Sequence, residues 1–269
     1  MFQRRHDEAL GRYQHKQLPF MRRVSMQAFD AIPPGHNMMA LVDLDITDAQ
    51  ALVQAQRERG RRTSLFAFMV KSIAMALAEH PQLNALRSGA DIIEFEDIDV
   101  NIPIELGGAP RQLVIRRADH KSTDEVYREI HDAKHSHHAE GSASQEDRKA
   151  VRMMKLLLLL PKFLRNAILR RVMNDAFMVK RMSGTTFVTS VSKFAQGMGF
   201  ALPFAGGPRA VSFALGGVAR KPVVIGDEVR VRECLSMTIV FNHDIVDGAP
   251  AARFTSRLKE LVESAAALR

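Results

Sequence analysis

Phe241-Asn242-His243-Asp244-Ile245-Val246-Asp247-Gly248 is the stretch on which the reading of this chain turns. An apolar, β-branched run over residues 235–241 reads as a strand, and residues 249–267 carry helical periodicity, so the octapeptide is a polar turn between the two. A histidine at such an edge is held by backbone on both sides. It can serve as general base for a thiol or hydroxyl, because an unperturbed imidazole is mostly neutral at neutral pH. The same spacing is also met by a turn histidine whose neighbours Asp244 and Asp247 cap the following helix.

Working outward, the rest of the chain is ordinary globular material. It has 269 residues, 46% hydrophobic and 25% charged, enough for one large core, with no repeat period. A single cysteine, Cys234, allows neither an intrachain disulfide nor a cysteine-based metal site, as expected of a reducing compartment. The charged start has no signal-peptide core, and the longest apolar run, residues 156–161, is far below the roughly 20 residues of a membrane span. A cytoplasmic protein is expected. The net charge of +8 attracts anions of any kind and does not choose among them.

Residues 38–45, Met-Met-Ala-Leu-Val-Asp-Leu-Asp, read as a strand followed by a helix over 49–59. Thr63 and Ser64 cap a second helix over 65–79, with Phe66, Val70, Ile73 and Leu77 at helical spacing and His80-Pro81 closing it. Strands over 91–104 and 111–116 flank the turn Gly107-Gly108-Ala109-Pro110. A third helix opens at Ser122 and fades into a polar loop over 135–147. Strands are read over 185–192, 210–215, 223–225 with 229–231, and 235–241. Helices early, strands late and no regular βαβ alternation predict α+β rather than a doubly wound sheet. There is neither a Gly-x-Gly-x-x-Gly after a strand nor a nucleotide phosphate loop.

With its context, the octapeptide resembles the His-x-x-x-Asp-Gly signature of the chloramphenicol acetyltransferase and dihydrolipoamide acyltransferase superfamily. Residues 249–254 are similar to the helix that follows the motif in 2-oxoacid dehydrogenase acyltransferases, and residues 65–74 with His80-Pro81-Gln82-Leu83-Asn84 to that family's helix and Pro-x-Leu-Asn turn. Residues 97–104, 112–122 and 184–190 follow in the family's order, so the resemblance covers roughly residues 20–269. It implies a two-layer α+β fold, a mixed sheet with packed helices, in a homotrimer or multiple of trimers with sites at subunit boundaries. It implies acyl transfer from a coenzyme A or lipoyl thioester to a thiol, hydroxyl or amine acceptor. His243 matches the family's base, and Ser190 the serine that steadies the oxyanion from the neighbouring subunit, with Thr189 and Ser192 as alternatives. Asp247 matches the structural aspartate that pairs with an arginine, for which Arg22 is the candidate and Arg23 the alternate. Gly248 is read as a turn position that a side chain would disturb.

The chain departs from that pattern in three places. About 20 polar, basic residues precede the matching segment, an arm followed by a catalytic domain over 21–269, so no lipoyl group is expected in cis and a lipoyl domain would act in trans. The family's Asp-His-Arg is Asn242-His243-Asp244 here, which points to a free-standing enzyme. A basic, leucine-rich insertion spans about 143–181; from 148 to 171 it has eight Lys or Arg and no acidic residue. It reads as a lid for a long acyl chain, as an amphipathic surface giving peripheral membrane contact, or as a helical hairpin turning at Pro161. A catalytically silent trimeric scaffold and a membrane-surface binding protein are the alternatives to the enzyme. His135, His137 and His138 lack the partners of a zinc site, and no metal is expected. The basic clusters at 57–62 and 116–117 have no interleaved aromatics, and with no Trp and only two Tyr in the chain nucleic acid is not expected either.

Overall fold

Exposed and buried side chains alternate toward the end of residues 37–45, while residues 234–242 are buried without a break. That contrast marks an edge strand beside a central one, and in the computed structural model the two pair antiparallel, from Cys234 opposite Asp45 to Asn242 opposite Asn37. The structure describes residues 6–7, 11–32, 35–106, 109–139, 152–153, 156–157, 159–192, 195, 197, 199–204 and 206–269. In chain order these form β1 (His6–Asp7), β2 (Gly11–Arg12), α1 (Phe20–Ala31), β3 (Asn37–Asp45), α2 (Thr47–Glu58), α3 (Leu65–Ala78), β4 (Ala85–Ser88) and β5 (Asp91–Glu94). There follow β6 (Val100–Leu106), β7 (Ala109–Ile115), α4 (Thr123–Ala139), α5 (Lys162–Met173), α6 (Ala176–Ser183), β8 (Thr186–Ser190), β9 (Val211–Ile225), β10 (Glu228–Asn242) and α7 (Gly248–Glu263).

The chain divides into two compact units, residues 1–32 with 144–170, and residues 33–143 with 171–269. The first holds β1 paired with β2, α1, and most of α5. Helix α1 begins at Phe20, where the expected arm of about 20 residues ends, and Pro19 sits at its N-cap.

The second unit is built on a six-stranded sheet in the order β3-β10-β9-β8-β6-β7. β8 runs parallel to both β6 and β9, and the other neighbours are antiparallel, so the sheet is mixed as expected. Helix α3 is the centre of the core: Ser64 Oγ accepts from Ala67 N at 3.1 Å, and residues from Ala67 to Leu77 are largely solvent-free. It packs against α2, α4 and α7. From α7, Phe254 meets Phe213 and Phe241 of the sheet at ring-centroid separations of 5.9 and 6.1 Å.

Three local expectations change. The strand pieces read over 210–241 are one hairpin of two 15-residue strands, continuous through Pro222 because that residue lies outside the buried half and turning at Gly226 with φ of +62°. Helix α4 runs on to Ala139 rather than fading at 135, since His131 and His135 stack at 3.9 Å and His135 Nδ1 bonds to the His131 carbonyl at 2.7 Å. The remainder of the expected loop, residues 140–147, lies outside the described residues. The strand read over 91–104 is two, β5 and β6, and β5 pairs with β4, which was not anticipated, in a hairpin whose strands are only four residues each. Among the described residues no helix is long and apolar enough to cross a membrane.

Candidate active site

β10 ends on the buried Asn242, whose own backbone and side-chain polar groups shape the turn that follows. Asn242 N donates to the Ala210 carbonyl at 2.9 Å, its Nδ2 to the Gly207 carbonyl at 3.3 Å, and its Oδ1 accepts from Asp244 N at 3.0 Å. Its carbonyl takes the N–H groups of Ile245 and Val246, both at 3.0 Å. His243 N donates to the His36 carbonyl at 2.6 Å, which pins the histidine's backbone to the entry of β3. Val246 is buried and anchors the far side of the turn.

The backbone of His243 is therefore fixed while its imidazole stays accessible, 47% exposed. Nδ1 lies 3.8 Å from Asp247 Oδ1, an electrostatic contact too long for a hydrogen bond. Among the described residues nothing else bonds the ring. An imidazole so placed can exchange a proton with an incoming group. Asp247 is the N-cap residue of α7 but makes no side-chain cap; its carboxylate is 85% exposed and faces His243. Gly248, read as intolerant of a side chain, is the first residue of α7 with no positive φ, and an added Cβ would meet nothing within 4 Å. That expectation is corrected: the position is helical and open.

Asp244 neither caps α7 nor faces the His243 ring. Its carboxylate binds Arg87 of β4 at 2.7 Å and His36 Nδ1 at 2.8 Å. The His36 hydrogen bond above all, with the charge of Arg87, holds the Asp244 carboxyl below the usual carboxylate range against the opposing effect of burial. Arg87 and His36, which hold this turn, are the residues of the candidate site that sequence reasoning missed, standing 157 and 208 residues from Asp244. Beside the same turn, Arg209 is desolvated, donates to the Ser183 carbonyl and Oγ at 2.7 and 2.6 Å, and is pushed down to about 10 by burial.

Ser190 closes β8, and its Oγ lies 2.8 Å from Ser192 Oγ, so two of the three hydroxyls considered for the oxyanion stand at one point. The sheet separates this pair from His243. Ser190 is level with Leu215, whereas β10 leaves the sheet opposite Val211 and His243 is two residues further on. At about 3.3 Å per residue the two side chains stand roughly 20 Å apart along the strands. Arg22 and Arg23 are exposed residues of α1, in the first unit. Among the described residues no group of three or more His, Cys, Asp or Glu is placed to hold a metal ion.

A mixed six-stranded sheet carrying helices and a histidine turn at the end of a central strand defines the coenzyme A-dependent acyltransferase class of fold. The same fold is seen in the crystal structure of a probable dihydrolipoamide acetyltransferase from Listeria monocytogenes, with a TM-score of 0.70, 25% identity, and coverage of 94% of this chain and 95% of that one. The dihydrolipoamide acetyltransferase of Azotobacter vinelandii shares it at a TM-score of 0.71 and 17% identity, covering 97% of this chain and 96% of the other. The chain belongs to the family of 2-oxoacid dehydrogenases acyltransferase catalytic domains, whose model matches residues 16–151 and 165–269. Among curated relatives it is 24% identical over 242 residues to the lipoamide acyltransferase component of the branched-chain alpha-keto acid dehydrogenase complex of Bacillus subtilis, covering 87% of this chain and 47% of the relative. It is 25% identical over 232 residues to the dihydrolipoyllysine-residue acetyltransferase component of the pyruvate dehydrogenase complex of Acholeplasma laidlawii, covering 84% and 35%. The chain thus spans about half, or less, of the length of these relatives.

Proposed function

We propose that this chain transfers an acyl group from a coenzyme A or lipoyl thioester to a thiol, hydroxyl or amine acceptor, with His243 as general base. The observation that carries the reading is the fixed backbone and accessible ring of His243. In the forward direction the imidazole takes the proton of the acceptor, say a thiol, as its sulfur attacks the thioester carbonyl. The tetrahedral intermediate carries its negative charge on the former carbonyl oxygen. It collapses by breaking the bond to the coenzyme A sulfur, and the imidazolium returns its proton to that thiolate, leaving a new acyl thioester and free coenzyme A.

The oxyanion needs a donor, and Ser190 cannot reach the histidine of its own chain, given the separation along the sheet. Ser190 of a neighbouring copy supplies it in this reading, with the Ser192 hydroxyl holding Ser190 Oγ in place. A homotrimer, alone or as a unit of a larger core, provides such a neighbour for every histidine. Asp247 faces the imidazole across 3.8 Å; pairing of Asp247 with Arg22 belongs to the same assembly. The acyl chain length and the acceptor, a lipoyl domain in trans or a small molecule, are set by surfaces outside these residues.

The test is free-thiol release from acyl-coenzyme A thioesters, acetyl to palmitoyl, with a pool of thiol, alcohol and amine acceptors that includes dihydrolipoamide. Acceptor-dependent release falling about 100- to 10,000-fold in His243→Ala is the expected result. Absence of release from every thioester, by a folded protein, assigns the chain to the silent scaffold instead.

A further inference from the structure

Helix α5 is built inside out. In a surface helix the apolar stripe faces the core and the charges face water, yet along Lys162–Met173 Phe163 is 77% exposed, Leu164 and Ile168 are exposed with it, and Arg165 is buried. Just upstream, Met153, Leu156 and Leu159 are exposed as well, Leu159 at 81%. Arg152, Lys162, Arg170 and Arg171 are exposed among them. Apolar and cationic side chains thus share one stretch of surface. Isolated surface leucines need no explanation, but a run of them does.

The charge is as localised as the apolar surface. Residues 148–171 hold eight Lys or Arg and no acidic residue, and the remainder of the chain has 30 basic and 30 acidic residues, so the whole net charge of +8 sits in this segment. The family model passes over residues 152–164, which places the start of the surface in what this chain has beyond its family. An occupant must therefore be anionic and must also accept Phe, Leu, Ile and Met side chains. A second copy of this segment repels it, and the rest of a second copy has no net charge to attract it. The headgroup layer of an anionic bilayer satisfies both demands, phosphates for the cations and the acyl boundary for the apolar side chains.

We propose that the α5 face and the exposed residues before it dock on the surface of an anionic lipid bilayer. The segment lies on the membrane and does not cross it, since its apolar run is far shorter than the roughly 20 residues a span requires. Docking is independent of acyl transfer and stands whether or not His243 is a base.

Co-sedimentation of the full chain with vesicles of phosphatidylcholine alone, and of phosphatidylcholine mixed with phosphatidylserine, tests it. Binding to the mixed vesicles that weakens as salt is raised, with little binding to the neutral ones, is expected. Neutralising the exposed cations in Lys162→Gln/Arg170→Gln/Arg171→Gln lowers the partition coefficient about 100-fold. Phe163→Ser/Leu164→Ser/Ile168→Ser lowers it as well, at unchanged circular dichroism and unchanged assembly mass, and His243→Ala binds as the parent does. Failure of the folded parent to bind mixed vesicles overturns the proposal, as does equal binding to both kinds. A change of assembly mass in the serine variant also overturns it, assigning the face to a second copy of the chain.

Discussion

His243 owes its position to backbone bonds and to the Asp244 carboxylate, which ties the turn to Arg87 and to His36, the residue whose carbonyl holds His243 N. With His243 as the proposed base, Asp244 is a positioning residue. Asp244→Ala frees the turn from β4, and a displaced base costs rate more than affinity. The expected outcome is a fall in kcat of about ten-fold or more with KM little changed, read in the thiol-release assay, while Asp244→Asn, which keeps a hydrogen-bond acceptor for Arg87, recovers part of the rate. At Gly248 the prediction is opposite in sign. An alanine there meets open space at a helical position, so Gly248→Ala holds or raises thermal stability, by up to about 1 kcal/mol. A melting temperature lowered by several degrees would contradict the open site.

At the scale of elements, the second unit is joined by one buried carboxylate. Asp99, at the entrance of β6, receives Arg116 beyond β7 and Lys180 of α6, both at 2.9 Å, and the N–H of Arg117 at 3.0 Å. Burial raises its pKa, but the bonds from Lys180, Arg117 and Arg116 outweigh burial and leave it lowered. A carboxyl more acidic in the folded than in the unfolded chain stabilises above the unfolded value of about 4, and that stability is lost as pH falls through the folded value. Urea midpoints should fall between pH 5 and acid in the parent and be flatter with pH in Asp99→Asn, which is less stable at neutral pH by about 3 kcal/mol. Nearby, Gly184 caps α6 at φ of +68°, and a Cβ there would stand 2.4 Å from the Asp99 carbonyl.

These same elements show what the sequence disclosed. β3 and α3 were legible because a local signal suffices for each, an apolar run passing into apolar–acidic alternation in one and a Ser cap with apolar spacing in the other. The continuity of the β9–β10 hairpin was hidden by Gly216-Gly217 and Pro222 within β9, which read as breaks between separate strand pieces. His135 read as a loop residue because its ring stack on His131, four residues earlier, is invisible to a hydropathy pattern. His243, Asp247 and Gly248 stand out through their own spacing. Arg87 and His36 do not, since an ion pair between residues more than 150 positions apart leaves no periodicity in either neighbourhood.

For the whole molecule, the direction of the strands decides how many chains make one site. β8 is parallel to β9 and β9 antiparallel to β10, so Ser190 and His243 leave the sheet at opposite ends. If the oxyanion serine comes from the next copy, a cyclic assembly repairs mixed defects. Coexpressed in equal amounts, His243→Ala chains keep an intact Ser190 and Ser190→Ala chains keep an intact His243. A working site forms wherever the second kind is followed, in the right sense, by the first. Each of the two positions is filled correctly with a probability of about one half, so about one quarter of the sites in the mixed assemblies are whole. Activity near one quarter of the parent's should return on coexpression, although Ser190→Ala alone loses about 100-fold or more and His243→Ala alone a similar amount or more. Measured turnover no greater than the average of the two single variants would require serine and histidine to act within one chain, which the register of β8, β9 and β10 does not allow.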